Sequence, residues 1–155
     1  MSVLAVEAFL KEKKKDIAIL TFGDTSTVAK AAEALGVTPG EIAKSLLFKI
    51  KDDFVMILMA GDKRIDNRKF KDVFKAKAKM PEAKEVVAAT GHPVGGVCPF
   101  GLIKAIPIYL DYSLRSYKHI FPAAGAPNTA MKLNLDDLFE LTHGQWIDVI
   151  QSEIV

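Results

Sequence analysis

The stretch SLLFKI (residues 45–50), followed by Lys51, Asp52 and Asp53 and then by FVMILMA (residues 54–60), predicts the centre of the fold. Two apolar runs of strand length that are joined by a few polar residues indicate a β-hairpin. Neither run approaches the roughly 20 apolar residues that span a bilayer. We therefore expect both runs to lie inside a globular domain.

Shorter patterns of both kinds surround this hairpin. Apolar or capping residues at helical spacing predict helices over residues 1–15, 28–35, 38–43, 66–74, 82–90 and 136–141. Short β-rich runs predict strands over residues 17–22, 75–80, 106–110, 118–123 and 130–135, with a last apolar segment at 146–150. Because short strands and helices alternate without regular βαβ units, we predict a mixed α/β fold around a curled, largely antiparallel sheet. The length of 155 residues fits a single domain over residues 1–155.

The net charge of +2 conceals a basic segment. Between residues 63 and 79, eight basic residues stand against two acidic ones. Within it, residues 75–80 alternate lysine with alanine or methionine, which predicts a strand with its lysines on one side and Met80 on the apolar side. Such a segment indicates either a polyanion-binding face or a solvated lysine-rich surface.

The cysteine and histidine content restricts the chemistry. Cys98 is the only cysteine, so an internal disulfide is excluded and a reducing compartment is favoured. The N-terminal residues lack the apolar core and cleavage site of an export signal, so we expect a cytoplasmic protein without membrane contact. The three histidines and Cys98 lack zinc-ligand spacing, and we expect no metal and no cofactor.

Residues 91–101 form the most distinctive loop, with four glycines and two prolines. Gly95 and Gly96 let the backbone approach a ligand, and successive free N–H groups can bind an anion or the oxyanion of ester hydrolysis. Pro99 would stiffen the loop, so that these N–H donors are preorganised. The loop of residues 124–128 has a similar composition. For both stretches, the alternative is a plain connection between elements.

Two side chains outside these loops are candidates for chemistry. Lys44 lies between a predicted helix and residues 45–50, so it points either to solvent or into a cleft, where its ammonium would hold a phosphate or a developing oxyanion. Cys98 is either a nucleophile or a small packing residue. No histidine spacing indicates a dyad, although His92 or His119 can approach Cys98 in space.

Together these stretches resemble a known family. TVAKAAEALGV (residues 27–37), IAKSL (42–46), TG (90–91) leading to GGVCPFG (95–101), and AG (124–125) occur in the order and spacing of the YbaK/prolyl-tRNA-editing-domain family, and the likeness runs from about residue 25 to 149. The resemblance implies a mixed α/β fold around a curled sheet. It also implies hydrolysis in trans of mischarged aminoacyl-tRNA, often tRNA for proline carrying alanine or cysteine.

The resemblance assigns roles to individual residues. It implies that Lys44 lies in the pocket, and that the backbone of Gly95 and Gly96 positions the water or the substrate carbonyl. It also implies that the loop of residues 123–125 forms another wall of the pocket. With these roles in view, we predict substrate binding by Ser45, Val97, Cys98, Pro99, Ala124, Gly125 and Asn128. Phosphates of the tRNA would follow the basic segment at Lys63, Arg64, Arg68, Lys75, Lys77 and Lys79.

One departure from the family leaves the substrate open. Cysteinyl-tRNA deacylases of this family have Ser-Ala-Gly in the second loop and an Asp a few residues on, whereas the matching residues here are Ala123, Ala124, Gly125 and Ala130. Alanine, serine or another small residue is therefore open as the amino acid removed. An aminoacyl ester is already activated, so holding a water and the oxyanion would suffice without a catalytic triad.

Two other functions remain open from the sequence. The first is a module that binds tRNA or a nucleotide without useful hydrolysis. The second is a hydrolase of another small ester or thioester that uses Cys98. The expected partners are aminoacyl-tRNA and an aminoacyl-tRNA synthetase, and the expected state is a monomer or homodimer.

Overall fold

The structure is a computed structural model and describes residues 2–152. The helices and strands follow in chain order as α1 (Ser2–Glu12), β1 (Ile19–Thr21), α2 (Val28–Leu35), a short 3-10 helix (Pro39–Glu41), β2 (Ala43–Ile50), β3 (Asp53–Ala60), α3 (Asn67–Phe74), α4 (Ala83–Thr90), β4 (Ile108–Asp111), a second 3-10 helix (Tyr112–Ser116), β5 (His119–Ile120), β6 (Thr129–Met131), β7 (Leu133–Asn134), α5 (Leu135–Thr142) and β8 (Gln145–Ile147).

The predicted hairpin is the antiparallel pair β2–β3. It continues into a four-stranded sheet of order β2-β3-β4-β8, in which β4 is parallel to both β3 and β8. Two antiparallel pairs, β1–β6 and β5–β7, lie beside this sheet. The mixed α/β class is therefore confirmed, and antiparallel pairs predominate in the described residues, but the larger sheet is itself mixed.

Strand β3 is buried on both of its faces. Met56 and Leu58 belong to the larger core cluster, whereas Val55 and Ile57 belong to a second cluster on the opposite face. This explains why residues 54–60 form a continuous apolar run instead of alternating with polar residues. Strand β2 lies at the edge of the sheet, so one side of its backbone is free of a sheet partner.

Local signals place most of the helices. Thr27 caps α2 by accepting a hydrogen bond from the Lys30 N–H, and Gly36 closes that helix at φ 69°. Asp66 caps α3 in the same way. In residues 2–152 every helix falls short, in length or in apolar character, of what crossing a membrane requires.

Two predicted elements are wrong. Over residues 38–43 only the 3-10 helix forms, because the Ala43 N–H donates to the Phe121 carbonyl and draws the chain into β2. Lys44 therefore lies within a strand. Residues 75–80 form no strand, since Lys75 ends α3 at φ 58° and the segment then contacts β2 through the Lys49 N–H and Lys79 carbonyl.

Candidate active site

A cavity of about 220 Å³ opens along the free edge of β2. Its other walls are the start of α2, the loop of residues 91–101, which we call the glycine loop, and the segment of residues 121–130. The lining is mostly apolar and is formed by Thr25, Ser26, Thr27, Val28, Ala31, Ile42, Ala43, Lys44, Ser45, Leu46, Leu47, Met80, Val86, Val94, Gly95, Val97, Phe121, Ala123, Thr129 and Ala130.

The edge of β2 presents peptide groups to this cavity. The Ala43 N–H donates to the Phe121 carbonyl at 3.2 Å, and the Lys49 N–H donates to the Lys79 carbonyl at 2.8 Å. Because backbone groups alternate along a strand, Ser45 and Leu47 direct theirs to the same side, away from β3. Both residues line the cavity, so the peptide groups between the two contacts face it.

The glycine loop supplies hydrogen-bond donors on the opposite wall. The Gly96 N–H donates to the Pro93 carbonyl at 2.9 Å, and Gly95 has φ 90°, as the third position of a type II turn requires. Gly95 and Val97 line the cavity, and within residues 2–152 no hydrogen bond engages the N–H of either. These two N–H groups are therefore available to an anionic oxygen.

Gly96 does not share this role. Its N–H is used within the loop, and its carbonyl accepts from the Gly125 N–H at 2.9 Å. A Cβ on Gly96 would lie only 2.6 Å from the Ala126 backbone nitrogen, so the two loops pack backbone against backbone. The prediction that the Gly96 backbone binds the substrate carbonyl or the water is corrected to one of positioning the loops, because its N–H is already engaged.

The second loop contributes to the cavity mainly through Ala123. Ala124 and Gly125 are buried behind the wall, and Asn128 lies outside the lining, where its carbonyl accepts from the Phe22 N–H at 2.7 Å. Thr129, which the sequence analysis did not single out, shapes this loop. Its hydroxyl oxygen accepts from the Ala124 and Ala126 N–H groups and donates to the Ala126 carbonyl.

Lys44 is the only ionisable residue among the described residues that line the cavity. Its half-buried side chain donates from Nζ to the Lys63 carbonyl. Burial lowers the pKa of Lys44, the positive charge of Arg64 lowers it further, and Asp62 opposes the shift. The amine therefore lies where the cavity wall meets the start of the basic segment.

Cys98 and Pro99 are buried outside the cavity lining. Cys98 Sγ lies 3.7 Å from His92 Nε2 and 3.6 Å from the Phe100 carbonyl oxygen. Burial raises the pKa of the Cys98 thiol to about 12, so the thiolate does not form near neutral pH. The structure therefore gives Cys98 a packing role, and neither residue is placed to contact a substrate in the cavity.

His92 joins the glycine loop to the first helix. It is fully buried, its Nδ1 is 2.5 Å from the Ser2 hydroxyl, and its Nε2 is 2.7 Å from the Phe100 carbonyl oxygen. Among the described residues, no cluster of His, Cys, Asp and Glu is arranged to hold a metal ion.

The predicted tRNA-binding residues lie largely on the surface. Lys63 is half-buried, whereas the exposed ones are Arg64, Arg68, Lys75, Lys77 and Lys79. Lys69 lies in the same segment, but its Nζ already donates to Asp148, the Ile150 carbonyl and the Ser152 hydroxyl. The sequence did not identify Met80 and Val94 as lining residues of the cavity. Their residue types give no indication of a site, and each is notable only for its position next to a predicted helix, strand or loop.

Comparisons with known proteins identify the family of this chain. The family model for the aminoacyl-tRNA editing domain matches residues 23–141. The chain is 41% identical to the uncharacterized protein YwhH of Bacillus subtilis, covering 98% of this chain and 99% of that protein. It is 30% identical to a protein of Enterococcus faecalis described as a candidate Cys-tRNA(Pro)/Cys-tRNA(Cys) deacylase, covering 84% of this chain and 80% of that one.

Solved structures and larger enzymes extend the comparison. A crystal structure described as that of a candidate trans-editing enzyme for prolyl-tRNA synthetase superimposes with a TM-score of 0.91 at 28% identity, covering 97% of this chain and 98% of that one. Proline–tRNA ligases also match, such as that of Thermosipho africanus at 32% identity over 92% of this chain. The chain spans 25% of the length of that ligase.

Proposed function

The chain belongs to the aminoacyl-tRNA editing domain family, and from this premise we propose that it acts in trans to hydrolyse the ester between a small amino acid and a mischarged tRNA. The observation that carries the proposal is one cavity lined both by the edge strand β2 and by Gly95 and Val97, whose N–H groups have no partner among the described residues. Ester hydrolysis needs donors aimed at the oxygen on which negative charge develops.

The chemistry asks little of ionisable side chains. A water attacks the ester carbonyl carbon, and the tetrahedral oxyanion is held by the two glycine-loop N–H groups. The bond from the acyl carbon to the ribose oxygen then breaks, a proton from the attacking water passes to that oxygen, and the products are the free amino acid and the ribose alcohol. The ester is already labile, so placing the water and the carbonyl in one small cavity supplies much of the acceleration. This fits a lining in which Lys44 is the only ionisable residue among those described.

Lys44 is proposed to hold the end of the tRNA. Its amine contacts the Lys63 carbonyl at the start of the basic segment, which favours a role beside the terminal ribose or its phosphate. Partial burial strengthens such a contact because it is less screened by water. The apolar walls and the volume of about 220 Å³ favour a small, uncharged amino acid side chain, with Ser45 and Val97 beside it.

The choice among alanine, serine and cysteine, and the choice of tRNA, are decided by assay. The relatives direct the assay to tRNA for proline, because the description of the deacylase refers to Cys-tRNA(Pro) and that of the solved structure to prolyl-tRNA synthetase. We expect the purified protein to deacylate at least one of Ala-tRNA(Pro), Ser-tRNA(Pro) and Cys-tRNA(Pro). Tight tRNA binding without hydrolysis of any of these would favour the binding module instead.

Lys44→Ala tests the site directly. Loss of the ammonium should reduce kcat/KM by about 100-fold, in the range seen when a positioned charged or polar group is removed. Lys104→Ala removes an exposed lysine outside both the cavity and the basic segment, and its activity should match that of the unmodified protein. Equal rates for Lys44→Ala and Lys104→Ala would exclude Lys44 from the mechanism.

The remaining parts of the proposal concern the cellular compartment, the protein partner, the oligomeric state and the extent of the domain. Action in the cytoplasm, recruitment to an aminoacyl-tRNA synthetase, a monomeric or homodimeric state, and a single domain over residues 1–155 stay predictions from the sequence and its resemblance. The match to proline–tRNA ligases supports prolyl-tRNA synthetase as the first synthetase to test for binding.

A further inference from the structure

Two apolar side chains stand exposed at the rim of the cavity. Met80 and Val94 are each 60% exposed, and both belong to its lining. The alternation of residues 75–80 predicted that Met80 would be buried, and the structure reverses this. Apolar side chains that are exposed next to a cavity indicate a binding site. The indication is stronger where the local sequence pattern predicts that the side chain is buried.

Each of the two side chains is held in place by its own segment. Val94 is the second residue of the turn closed by the Gly96 N–H and Pro93 carbonyl, so the turn presents it outward. Met80 follows Lys79, whose carbonyl is anchored by the Lys49 N–H of β2. Two independent anchors therefore bring apolar side chains to one rim.

The charge beside this rim indicates the occupant. Lys75, Lys77 and Lys79 are exposed at alternate positions of the segment that ends in Met80. A partner that fits both features has an apolar face next to phosphate groups, as a nucleotide has. An apolar peptide segment would match the two apolar side chains, but it would leave the three exposed lysines beside them without a partner group.

We propose that Met80 and Val94 clamp the base of the 3′-terminal nucleoside of the bound tRNA, with the preceding phosphates on Lys75, Lys77 and Lys79. The inference rests on the proposed function, because it is the aminoacyl ester that brings a terminal nucleoside to this cavity. The thioether of methionine is polarizable and packs well on flat aromatic rings. Base contacts of this kind tolerate any base identity, since every base has a π-face.

The test measures RNA binding without any hydrolysis. Fluorescence anisotropy compares two short uncharged RNAs, one ending in CCA and one whose terminal residue lacks its base. We expect the unmodified protein to bind the complete RNA about tenfold more tightly, given the apolar area that the clamp covers. The Met80→Ala/Val94→Ala double variant should bind both RNAs equally, at the weaker level.

Leu4→Ala is the matched control, because Leu4 is also 60% exposed but lies outside the cavity lining. It should keep the full preference for the terminal base. The proposal is overturned if the unmodified protein does not distinguish the two RNAs, if the double variant keeps the preference, or if Leu4→Ala also loses it. A peptide as the true occupant would produce the first of these results.

Failure of the proposed function is a separate result. The protein could bind the complete RNA more tightly through Met80 and Val94 and yet deacylate no aminoacyl-tRNA. That result would support the contact with the terminal base and contradict the proposed hydrolysis. Deacylation that depends on Lys44 but occurs without any base preference would do the reverse.

Discussion

At the scale of one residue, Ser45 shows how a side chain that serves binding differs from one that serves stability. Its Oγ is buried and has no hydrogen-bond partner among the described residues, while the residue lines the cavity. A buried hydroxyl without a partner in the protein costs stability, so the Ser45 hydroxyl calls for a partner from outside the chain, such as a water or a ligand. Because Ser45 lines the cavity, we expect its hydroxyl to contact a bound aminoacyl group.

We therefore expect Ser45→Ala to lower kcat/KM about tenfold while the free energy of unfolding stays the same or rises by up to about 1 kcal/mol. Ser113→Ala is the matched control, because the Ser113 hydroxyl accepts the Ala60 N–H at 3.0 Å. That variant should lose about 1 kcal/mol and keep its activity once folded. Denaturant unfolding and deacylation rates check both. A fall in stability for Ser45→Ala would mean that Ser45 is structural.

Cys98 is the opposite case, a reactive residue type in an unreactive place. With a pKa of about 12 against an ordinary 9.0, its thiol stays protonated and shielded in the folded protein. Iodoacetamide at pH 7.5 should therefore label Cys98 only after unfolding in urea, and Cys98→Ala should deacylate at a rate within about twofold of the unmodified protein. Rapid labelling of the native protein with loss of activity would restore the thiol mechanism.

Residue identity alone predicted some of these roles and not others. Lys44 and Gly95 were predicted from charge and glycine content together with the family resemblance, and the structure brings both to one cavity. Gly96 and Cys98 looked equally suitable, but burial and prior hydrogen bonds decide their roles, and these depend on residues distant in sequence such as Gly125 and His92. No pattern along the chain reports such contacts.

At the scale of elements, the two loops behind the cavity act as one unit. The Gly125 N–H donates to the Gly96 carbonyl, and a Cβ on Gly125 would meet Ser2 of α1 within 3.0 Å. Helix α1 thus covers the loop pair and also reaches the glycine loop through the Ser2–His92 hydrogen bond. The donors of Gly95 and Val97 are held in place by this stack.

Gly96→Ala should break that stack. The added methyl carbon would lie 2.6–2.7 Å from Ala126 backbone atoms, so one loop must move, at a cost of about 2 kcal/mol. Deacylation should fall by at least about 100-fold because the oxyanion donors shift with the loop. Gly23→Ala is the control, since nothing lies within 4 Å of a Cβ there. Full activity in folded Gly96→Ala would show that the loop pair does not position the donors.

Elements whose ends are specified locally were predicted well. Thr27 and Gly36 bound α2 through their own side chain and backbone, and Asp66 does the same for α3. Residues 75–80 have the alternation of a strand, yet the left-handed Lys75 and a single hydrogen bond to β2 set their path. Short segments follow tertiary contacts when those contacts outweigh weak local preference.

At the scale of the whole molecule, the sheet order carries information that no local pattern contains. The hairpin β2–β3 could be predicted because its strands are adjacent in sequence. The parallel pairing of β3 with β4 spans a long connection that holds α3, α4 and the glycine loop. That crossover delivers the basic segment and the glycine loop to the same edge of β2, where the cavity forms.

The basic segment should therefore act on tRNA as a charged track that leads to the cavity. Replacing Lys75, Lys77 and Lys79 together with alanine removes three exposed charges. Binding of uncharged tRNA, measured from 50 to 200 mM KCl, should weaken at every salt concentration. The slope of log K against log salt should become shallower by about 2 to 3, because each lost phosphate contact no longer releases its counterion.

A second triple variant decides whether position matters or only total charge. Lys11, Lys13 and Lys14 are also exposed, and they lie at the end of α1 outside the cavity lining, so their replacement by alanine removes the same net charge. If tRNA follows the track beside Met80, this variant should keep nearly the full salt slope. Equal slopes for the two variants would mean that tRNA responds to the overall charge of the protein, and the assignment of the phosphates to Lys75, Lys77 and Lys79 would then be wrong.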